Sequence, residues 1–218
     1  MIPKVFHLVW GNDKPLPDYA EANIAKLREL YPDWEVKVWR DFPHERVTGD
    51  AMDVAPNYGA RSDIMRMEIL WKFGGCYLDV DVEPLEVFPW FDTFTNISCK
   101  QGGGVGPHFI AVPPESKAME GTLSRINQKI ALIPTLTQYK TYVWTGPEMC
   151  SYVFVSCGNM TLIEHGVIEQ YFKHHMAGSW RKSDIPKESV KLVSEANLVG
   201  WEESCAQLKK GGCCDPVV

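Results

Sequence analysis

The chain lacks a long apolar run, a signal segment and an excess of positive charge. None of its 218 residues lies in a stretch of roughly 18 apolar residues, the length of a membrane-spanning helix. The amino terminus begins as a strand pattern, without a basic segment followed by an apolar one. A formal net charge of −6 argues against a general nucleic-acid binder, because neutralising phosphates requires clustered Lys and Arg. We expect a cytoplasmic protein without a membrane span or nucleic-acid partner.

Paired cysteine spacings are missing as well. The seven cysteines are odd in number and scattered along the chain, which indicates neither a disulfide framework nor a zinc site with paired ligands. We interpret them as buried free thiols in a reducing compartment. The chain also has no internal repeat or low-complexity segment.

The most informative segment that is present carries two acids. Asp79 and Asp81 stand two positions apart, directly after Gly74 and Gly75. We expect a strand through residues 76–81, in which alternate side chains share a face, so that both carboxylates converge. Two carboxylates suit Mg²⁺ or Mn²⁺, which leaves its other positions to water and phosphate oxygens. The pattern, weak alone, predicts a metal–diphosphate site when its context agrees.

A predicted helix precedes the acids and supplies that context. Residues 60–73 read as a helix that ends at Gly74. Within it, Asp63 and Arg66 stand three positions apart on one face. The pair is either a surface ion pair of small energetic value or part of a ligand site. The helix is defined by apolar residues at helical spacing: Ile64, Met67, Leu70 and Trp71.

The remaining patterns alternate between strand and helix. Alternation predicts an α/β sheet with helices on both faces and ligands at the carboxyl ends of its strands. We expect one domain over residues 1–218, with 209–218 as a possible linker, a flexible glycine loop at 102–106, and a helix whose cap is Asp18 with Glu21. Predicted strands cover 4–10, 34–39, 108–112, 167–173 and 190–193; predicted helices cover 18–31, 115–130 and a segment opened by Pro147; 41–59 reads mostly as loop, with room for a short helix.

Two motifs resemble a known family. Arg61-Ser62-Asp63-x-x-Arg66, followed by Gly74-Gly75-x-Tyr77-x-Asp79-x-Asp81, resembles the signature of the DXD glycosyltransferases, of the yeast mannosyltransferase and large clostridial toxin type. Residues 2–11 and 174–180 match two further family segments. The resemblance implies the GT-A fold, a Rossmann-like mixed central sheet flanked by helices, with a small β-rich carboxy-terminal part. The chain is also similar to small glycosyltransferase domains of a large DNA virus of chlorella-like algae, which would place it in a host cytoplasm.

The resemblance also implies roles for single residues. Asp79, Asp81 and His175 would hold Mn²⁺ or Mg²⁺, with His174 in place of His175 if the register differs by one. Asp63 and Arg66 would contact the donor sugar. The donor would be a nucleotide sugar, a UDP-hexose above all, and the acceptor a glycan or another hydroxyl compound. Further contacts to the donor are implied for His7, Leu8, Val9, Trp10, Arg61, Ser62, Tyr77, Ser179 and Trp180.

Two other functions remain open at this point. Asp79 and Asp81 could act as acid and nucleophile of a glycoside hydrolase, although that mechanism requires neither a metal nor the upstream helix. The chain could also bind nucleotide sugars without catalysis. The residues assign no catalytic base and do not decide whether the anomeric configuration is retained or inverted.

Overall fold

A six-stranded mixed sheet forms the centre of the computed structural model, which describes residues 1–11, 14–129, 138–157 and 159–177. Its strand order is β2-β1-β3-β6-β5-β7, where β1 is parallel to β2 and β3. Strand β6 runs antiparallel to its neighbours β3 and β5, and β7 is parallel to β5. The strands are β1 Val5–Val9, β2 Glu35–Trp39, β3 Gly75–Leu78, β5 Ile97–Gln101, β6 Gly104–Val112 and β7 Thr161–Glu164.

A second sheet and six α-helices complete the described elements. The small sheet pairs β4 Val82–Pro84 with β8 Phe172–His174 in antiparallel register. The helices are α1 Asp18–Leu30, α2 Tyr58–Phe73, α3 Lys117–Gln128, α4 Gln138–Trp144, α5 Pro147–Cys157 and α6 His165–Ile168, with a 3-10 helix at Gly49–Met52. The predicted α/β architecture with a mixed sheet is thereby confirmed.

The core lies on both faces of the sheet. Alternate residues of a strand point to opposite faces, so Tyr77 packs into one apolar cluster with α2, α3 and α5, whereas Cys76 and Leu78 pack into another with α1. All five residues of β1 are buried, as expected for a central strand covered on both sides. The predicted helices on both faces follow from this continuous apolar pattern.

Two consecutive glycines join α2 to the central sheet. The N–H of Gly74 donates to the Leu70 carbonyl and ends the helix, with a φ of 62°. Gly75 has a φ of 95°, and a Cβ there would lie 2.7 Å from the carbonyl oxygen of Val5. Positive φ and close backbone approach both require glycine. The turn delivers β3 directly beside β1, so that both strands end near one edge.

Several predicted boundaries are wrong. Strand β3 ends at Leu78, and residues 79–81 form a turn closed by a 3.0 Å hydrogen bond from Val82 N–H to the Asp79 carbonyl. The acids therefore converge through a turn and not through strand alternation. Residues 104–106 belong to β6, because Gly102 and Gly103 alone form the hairpin tip between β5 and β6. Residues 165–168 are helical within the predicted β-rich tail.

The cap of α1 differs from the prediction, and the prediction of a single domain stays open. Asp18 is the first helical residue, and Pro17 is the cap, without a side-chain hydrogen bond. All described residues fall within one compact unit, Met1–Asp184, so a single domain over 1–218 stays a prediction. The predicted strand at 190–193 lies outside the described residues. Among the residues that are described, no helix combines the length and apolar character needed to span a bilayer.

Candidate active site

A cavity of about 520 Å³ opens at the carboxyl ends of β1 and β3. This volume lies in the roughly 300–1,000 Å³ range of sites for small ligands. Its wall includes Asp63, Arg66, Asp79, Asp81 and His174. An α/β sheet is expected to bind ligands at this edge, because the loops that follow its parallel strands converge there.

The two acids of the turn face one histidine. The Nε2 atom of His174 lies 3.4 Å from Asp81 Oδ1 and 3.9 Å from Asp79 Oδ2. One ligand atom from each of the three side chains lies within 4.8 Å of the other two. Carboxylate oxygens with an imidazole nitrogen suit Mn²⁺, and the carboxylates alone suit Mg²⁺. The donor set therefore fits a hard divalent cation.

The histidine that faces the acids is His174, one residue before the predicted His175. His175 turns away from the acids and places Nε2 2.9 Å from Glu83 Oε2. His174 closes strand β8 opposite Val82, and consecutive side chains of an extended segment point to opposite sides. Only one of the two histidines can therefore face the turn. His175 as the third member of the group is corrected to His174.

Asp81 is held in place by the segment after β8. The Ala177 N–H donates to Asp81 Oδ2 over 2.7 Å, and the His175 N–H donates to the Asp81 carbonyl over 3.1 Å. Burial acts to raise the pKa of Asp81, but His174 and the Ala177 N–H outweigh it and lower this pKa. The carboxylate thus stays ionised. Burial likewise acts to lower the pKa of His174, and both acids together raise it.

Arg66 connects helix α2 to the turn at residues 79–81, called the acid turn below. Its Nη2 lies 2.8 Å from Asp63 Oδ1 and its Nη1 lies 3.3 Å from Asp79 Oδ1. Its guanidinium also covers the Tyr77 ring at 4.6 Å. Burial acts to lower the pKa of Arg66, but Tyr77, Asp79 and Asp63 outweigh it and raise this pKa. A permanent positive charge therefore lies beside the cavity, where the phosphates of a nucleotide would be attracted.

Asp63 has unused hydrogen-bonding capacity. Thr145 Oγ1 donates to Asp63 Oδ2 over 3.0 Å, while Oδ1 pairs with Arg66. A carboxylate accepts about four hydrogen bonds, so acceptor positions remain toward the cavity that Asp63 lines. Burial raises the pKa of Asp63 to about 6, against the effects of Arg66 and Thr145. The Asp63–Arg66 pair is buried, at 8% and 6% exposure, and is not an ordinary surface ion pair.

The other predicted contacts divide into three groups. Val9, Trp10, Ser62 and Tyr77 line the cavity with the acids. Three of the predicted residues do not line it: Leu8 is buried, Arg61 pairs with Asp41 at 2.9 Å, and His7 bonds to Gly74 and Trp39. Ser179 and Trp180 lie outside the described residues.

Sequence reasoning assigned no role to two residues of the site. Thr145 bonds to Asp63 from 82 positions away, and His108 stacks on His174 with ring centroids 4.2 Å apart. Thr145 precedes Gly146, whose missing Cβ would lie 3.2 Å from Asp63 Oδ2. The Thr-Gly-Pro string at 145–147 therefore indicates a part of the site, although the sequence does not reveal that Thr145 contacts Asp63. No local pattern pointed to His108.

Comparisons with known proteins agree with this geometry. Residues 17–97 match the family described as glycosyltransferase sugar-binding region containing DXD motif. "Inositol phosphoceramide mannosyltransferase 3" of Schizosaccharomyces pombe is 33% identical over 88 residues, covering 37% of this chain and 24% of that protein. "Mannosyl phosphorylinositol ceramide synthase SUR1" of Saccharomyces cerevisiae is 29% identical, covering 91% of this chain and 54% of its own length. The chain thus spans about half or less of these two relatives.

A solved structure extends the comparison to the fold. The UDP-bound glycosyltransferase domain of the YGT toxin aligns with 100% of this chain and 92% of its own, at a TM-score of 0.56 and 11% sequence identity. An identity this low speaks for the fold alone. By these comparisons, residues 17–97 are similar to the sugar-binding region of DXD-containing glycosyltransferases, the chain is similar to yeast mannosyltransferases over part of their length, and its fold is the GT-A fold.

Proposed function

We propose that this chain transfers a hexose from a nucleoside diphosphate sugar, with a UDP-hexose as donor, to a hydroxyl acceptor in a reaction that depends on Mn²⁺ or Mg²⁺. The observation that carries the proposal is the group of Asp79, Asp81 and His174 at the cavity beside the buried Asp63–Arg66 pair. Two carboxylates and an imidazole offer the ligands for a cation, and Arg66 offers charge to a phosphate.

The residues divide the work of binding. Asp79, Asp81 and His174 would hold the cation, which supplies stabilisation for negative charge on the departing diphosphate. Arg66 adds a fixed positive charge in a buried environment, where electrostatic interactions are strong. Asp63 accepts hydrogen bonds from sugar hydroxyls through its remaining lone pairs. Tyr77 donates to Asp79 Oδ1 over 2.7 Å and orients that carboxylate.

The geometry argues against a glycoside hydrolase but is compatible with a noncatalytic binder. A glycoside hydrolase separates its two carboxyl groups by about 5–5.5 Å or more, whereas ligand atoms of Asp79 and Asp81 lie within 4.8 Å of each other. Moreover, Asp81 already accepts from Ala177 and pairs with His174, which leaves it poorly placed to exchange a proton with a substrate. A noncatalytic binder would share the geometry and is separated from an enzyme only by turnover.

The test combines calorimetry with turnover. Wild-type protein is expected to bind UDP and UDP-hexoses more tightly with Mn²⁺ than without it, and to release UDP from the donor. Asp81→Asn keeps an oxygen for the Ala177 N–H but removes the charge, so we expect an intact fold, loss of the Mn²⁺ effect and at least about 100-fold slower turnover. Glu83→Gln is the matched control, because Glu83 pairs with His175 outside the group.

The outcomes distinguish the candidates. Wild-type turnover by a folded Asp81→Asn protein would contradict the metal assignment. Binding without any release of UDP would indicate a binding module. The names of the yeast relatives specify mannose as sugar and inositol phosphoceramide as acceptor, so the donor panel includes GDP- and UDP-linked hexoses, mannose among them, and the acceptor panel includes that lipid.

A further inference from the structure

A second group of metal-ligating side chains lies next to the first, on β5 and β6 of the central sheet and on α6. It consists of Cys99 in β5, His108 in β6 and His165 at the start of α6. One ligand atom from each lies within 4.8 Å of the other two. Cys99 and His165 have no role in the proposed transfer reaction, whereas His108 lines the cavity and stacks on His174. The group is discontinuous in sequence and shows no paired ligand spacing.

The geometry of the group agrees with tetrahedral coordination. Cys99 Sγ lies 3.6 Å from His165 Nδ1. Bond lengths of about 2.3 Å from zinc to sulfur and about 2.0–2.1 Å to nitrogen place tetrahedral ligands about 3.5 Å apart. Cys99 and His165 would therefore need little adjustment to hold an ion, and the His108 nitrogen would approach from within 4.8 Å. The same distance also suits a weak S–H···N hydrogen bond, and the test below separates the two.

The surroundings of His165 resemble a metal site's supporting shell. Its other nitrogen, Nε2, lies 3.5 Å from Glu169 Oε1. A carboxylate on that side favours the tautomer with its proton on Nε2, in which the Nδ1 lone pair is free for a cation beside Cys99. The His165 side chain is 26% exposed, which provides an entry path and a fourth position for water. Burial, followed by Glu169 and Glu164, raises the pKa of Cys99, and both carboxylates would attract a cation.

His108 provides an independent observation. It is 2% exposed, and its Nε2 is buried without a hydrogen-bond partner among the described residues. A buried polar atom without a partner is costly and calls for a compensating ligand. The β5–β6 pairing shifts between Ser98 and Cys99, whose partners are Ile110 and Gly106. This irregularity leaves residues 107–109 without paired positions in the β5 register and places His108 beside Cys99, as bulges near functional sites do.

We propose that Cys99, His108 and His165 form a second cation site, for a soft divalent ion of the Zn²⁺ class. A thiolate with two imidazoles selects such an ion, whereas the carboxylates of Asp79 and Asp81 select a hard one. The site would join β5, β6 and α6. It would also fix the His108 ring, on which His174 stacks.

The test uses Co²⁺ as a spectroscopic substitute for Zn²⁺. The background protein is the full chain with Cys157→Ser, Cys205→Ser, Cys213→Ser, Cys214→Ser and Asp81→Asn. In this background, these thiols and the group of Asp79, Asp81 and His174 contribute little to Co²⁺ binding. We expect a thiolate-to-Co²⁺ charge-transfer band that Zn²⁺ abolishes by competition. Cys99→Ser is expected to remove the band. Cys150→Ser, which changes another buried free thiol, is expected to keep it.

Two further variants keep the test decisive if Cys99→Ser folds poorly. His165→Gln removes a partly exposed ligand and is expected to weaken Co²⁺ binding at least 10-fold. Glu169→Gln is expected to weaken it by about 10-fold or more, as changes of supporting carboxylates do. Absence of the band at saturating Co²⁺, or a band of equal intensity in folded Cys99→Ser protein, would overturn the proposal. Neither result bears on the transfer reaction, which is measured separately.

Discussion

At the residue scale, a few buried side chains define the chemistry of the cavity. Arg66 pairs with Asp63 and Asp79, so one guanidinium aligns residues of α2 and of the acid turn. Its Nη1 also donates to the Pro107 carbonyl over 3.0 Å. A residue with this many partners is difficult to replace, because any shorter side chain leaves buried carboxylates uncompensated. Asp63 is more accessible to experiment.

Asp63→Asn should weaken binding of a nucleotide sugar about 10-fold more than binding of free UDP. The substitution removes the ionised acceptor for sugar hydroxyls, and hydrogen bonds to charged groups contribute about 1.5–3 kcal/mol. Titration calorimetry with UDP and UDP-hexose measures both affinities. Thr145→Val serves as control, since it removes the hydroxyl donor to Asp63 but keeps the carboxylate. Equal losses for both ligands would show that Asp63 does not contact the sugar.

At the element scale, the α2–β3 junction and strand β1 hold the site's edge together. The Nε2–H of His7 donates to the Gly74 carbonyl over 2.9 Å, and Trp39 Nε1–H donates to His7 Nδ1 over 3.0 Å. Thus one imidazole joins β1, β2 and the glycine turn. His7 therefore has a structural role, and the contact to the nucleotide implied for it stays a prediction.

Gly75→Ala should destabilise the protein by about 2 kcal/mol or more. Its φ of 95° disfavours a side chain, and the added Cβ would lie 2.7 Å from the Val5 carbonyl oxygen. Urea unfolding measures the difference. Gly103→Ala is the matched control, because a Cβ at the hairpin tip would meet nothing within 4 Å. An equal effect of both substitutions would contradict the steric explanation.

Stability should fall as the pH is lowered from about 6.5 toward 4, in part through His7. Burial lowers the pKa of His7 to about 4, below its value of about 6.5 in an unfolded chain. Folding therefore excludes a proton, and the contribution of His7 is complete above pH 6.5 and is lost as pH falls through 4. The loss amounts to roughly 3 kcal/mol at most.

Urea unfolding at a series of pH values tests this dependence. His7→Gln retains a donor and an acceptor but does not titrate, so its stability should vary less across the same range. His44→Gln, at an exposed histidine, should follow the wild-type profile. A His7→Gln profile parallel to wild type would place the acid sensitivity elsewhere.

At the scale of the whole molecule, the cavity joins elements that are distant in the chain. Its walls come from β1, α2, β6, α4, α5 and the acid turn. A ligand that binds this folded arrangement but not the unfolded chain stabilises the fold by mass action. Binding of the cation should also increase the affinity for the nucleotide, and the reverse, because the positive ion and the negative diphosphate attract each other in the bound state.

UDP and Mn²⁺ together should raise the thermal midpoint more than the sum of their separate effects. At a ligand concentration of 100 times Kd the stabilisation is about 2.7 kcal/mol. Differential scanning calorimetry measures the shift. Asp79→Asn combined with Asp81→Asn should remove the excess, while Glu83→Gln should keep it. Additive shifts in the wild-type protein would show that the two ligands bind independently.

Local features of the sequence were sufficient to predict helix α2 and the glycine turn that follows it. Helix 60–73 was recognised from its apolar period, and Gly74 was recognised as its end, within two residues of the observed Tyr58–Phe73. The observed helix begins earlier because Asn57 caps it and accepts from the Ala60 N–H at 2.9 Å. Residues close in sequence interact through short-range geometry, which composition and spacing reveal directly.

By itself, the amino-acid order determined the α/β class, the glycine turn, the acid pair and the Asp63–Arg66 spacing, since each depends on contacts within a few residues. Only the tertiary structure decided that His174 and not His175 faces the acids, that Thr145 supports Asp63, and that Cys99 meets two histidines. Such partners are brought together by packing of the sheet. Their separations, such as nine residues between Cys99 and His108 and 82 between Asp63 and Thr145, follow no helical or strand period, so they leave no periodic trace in the chain.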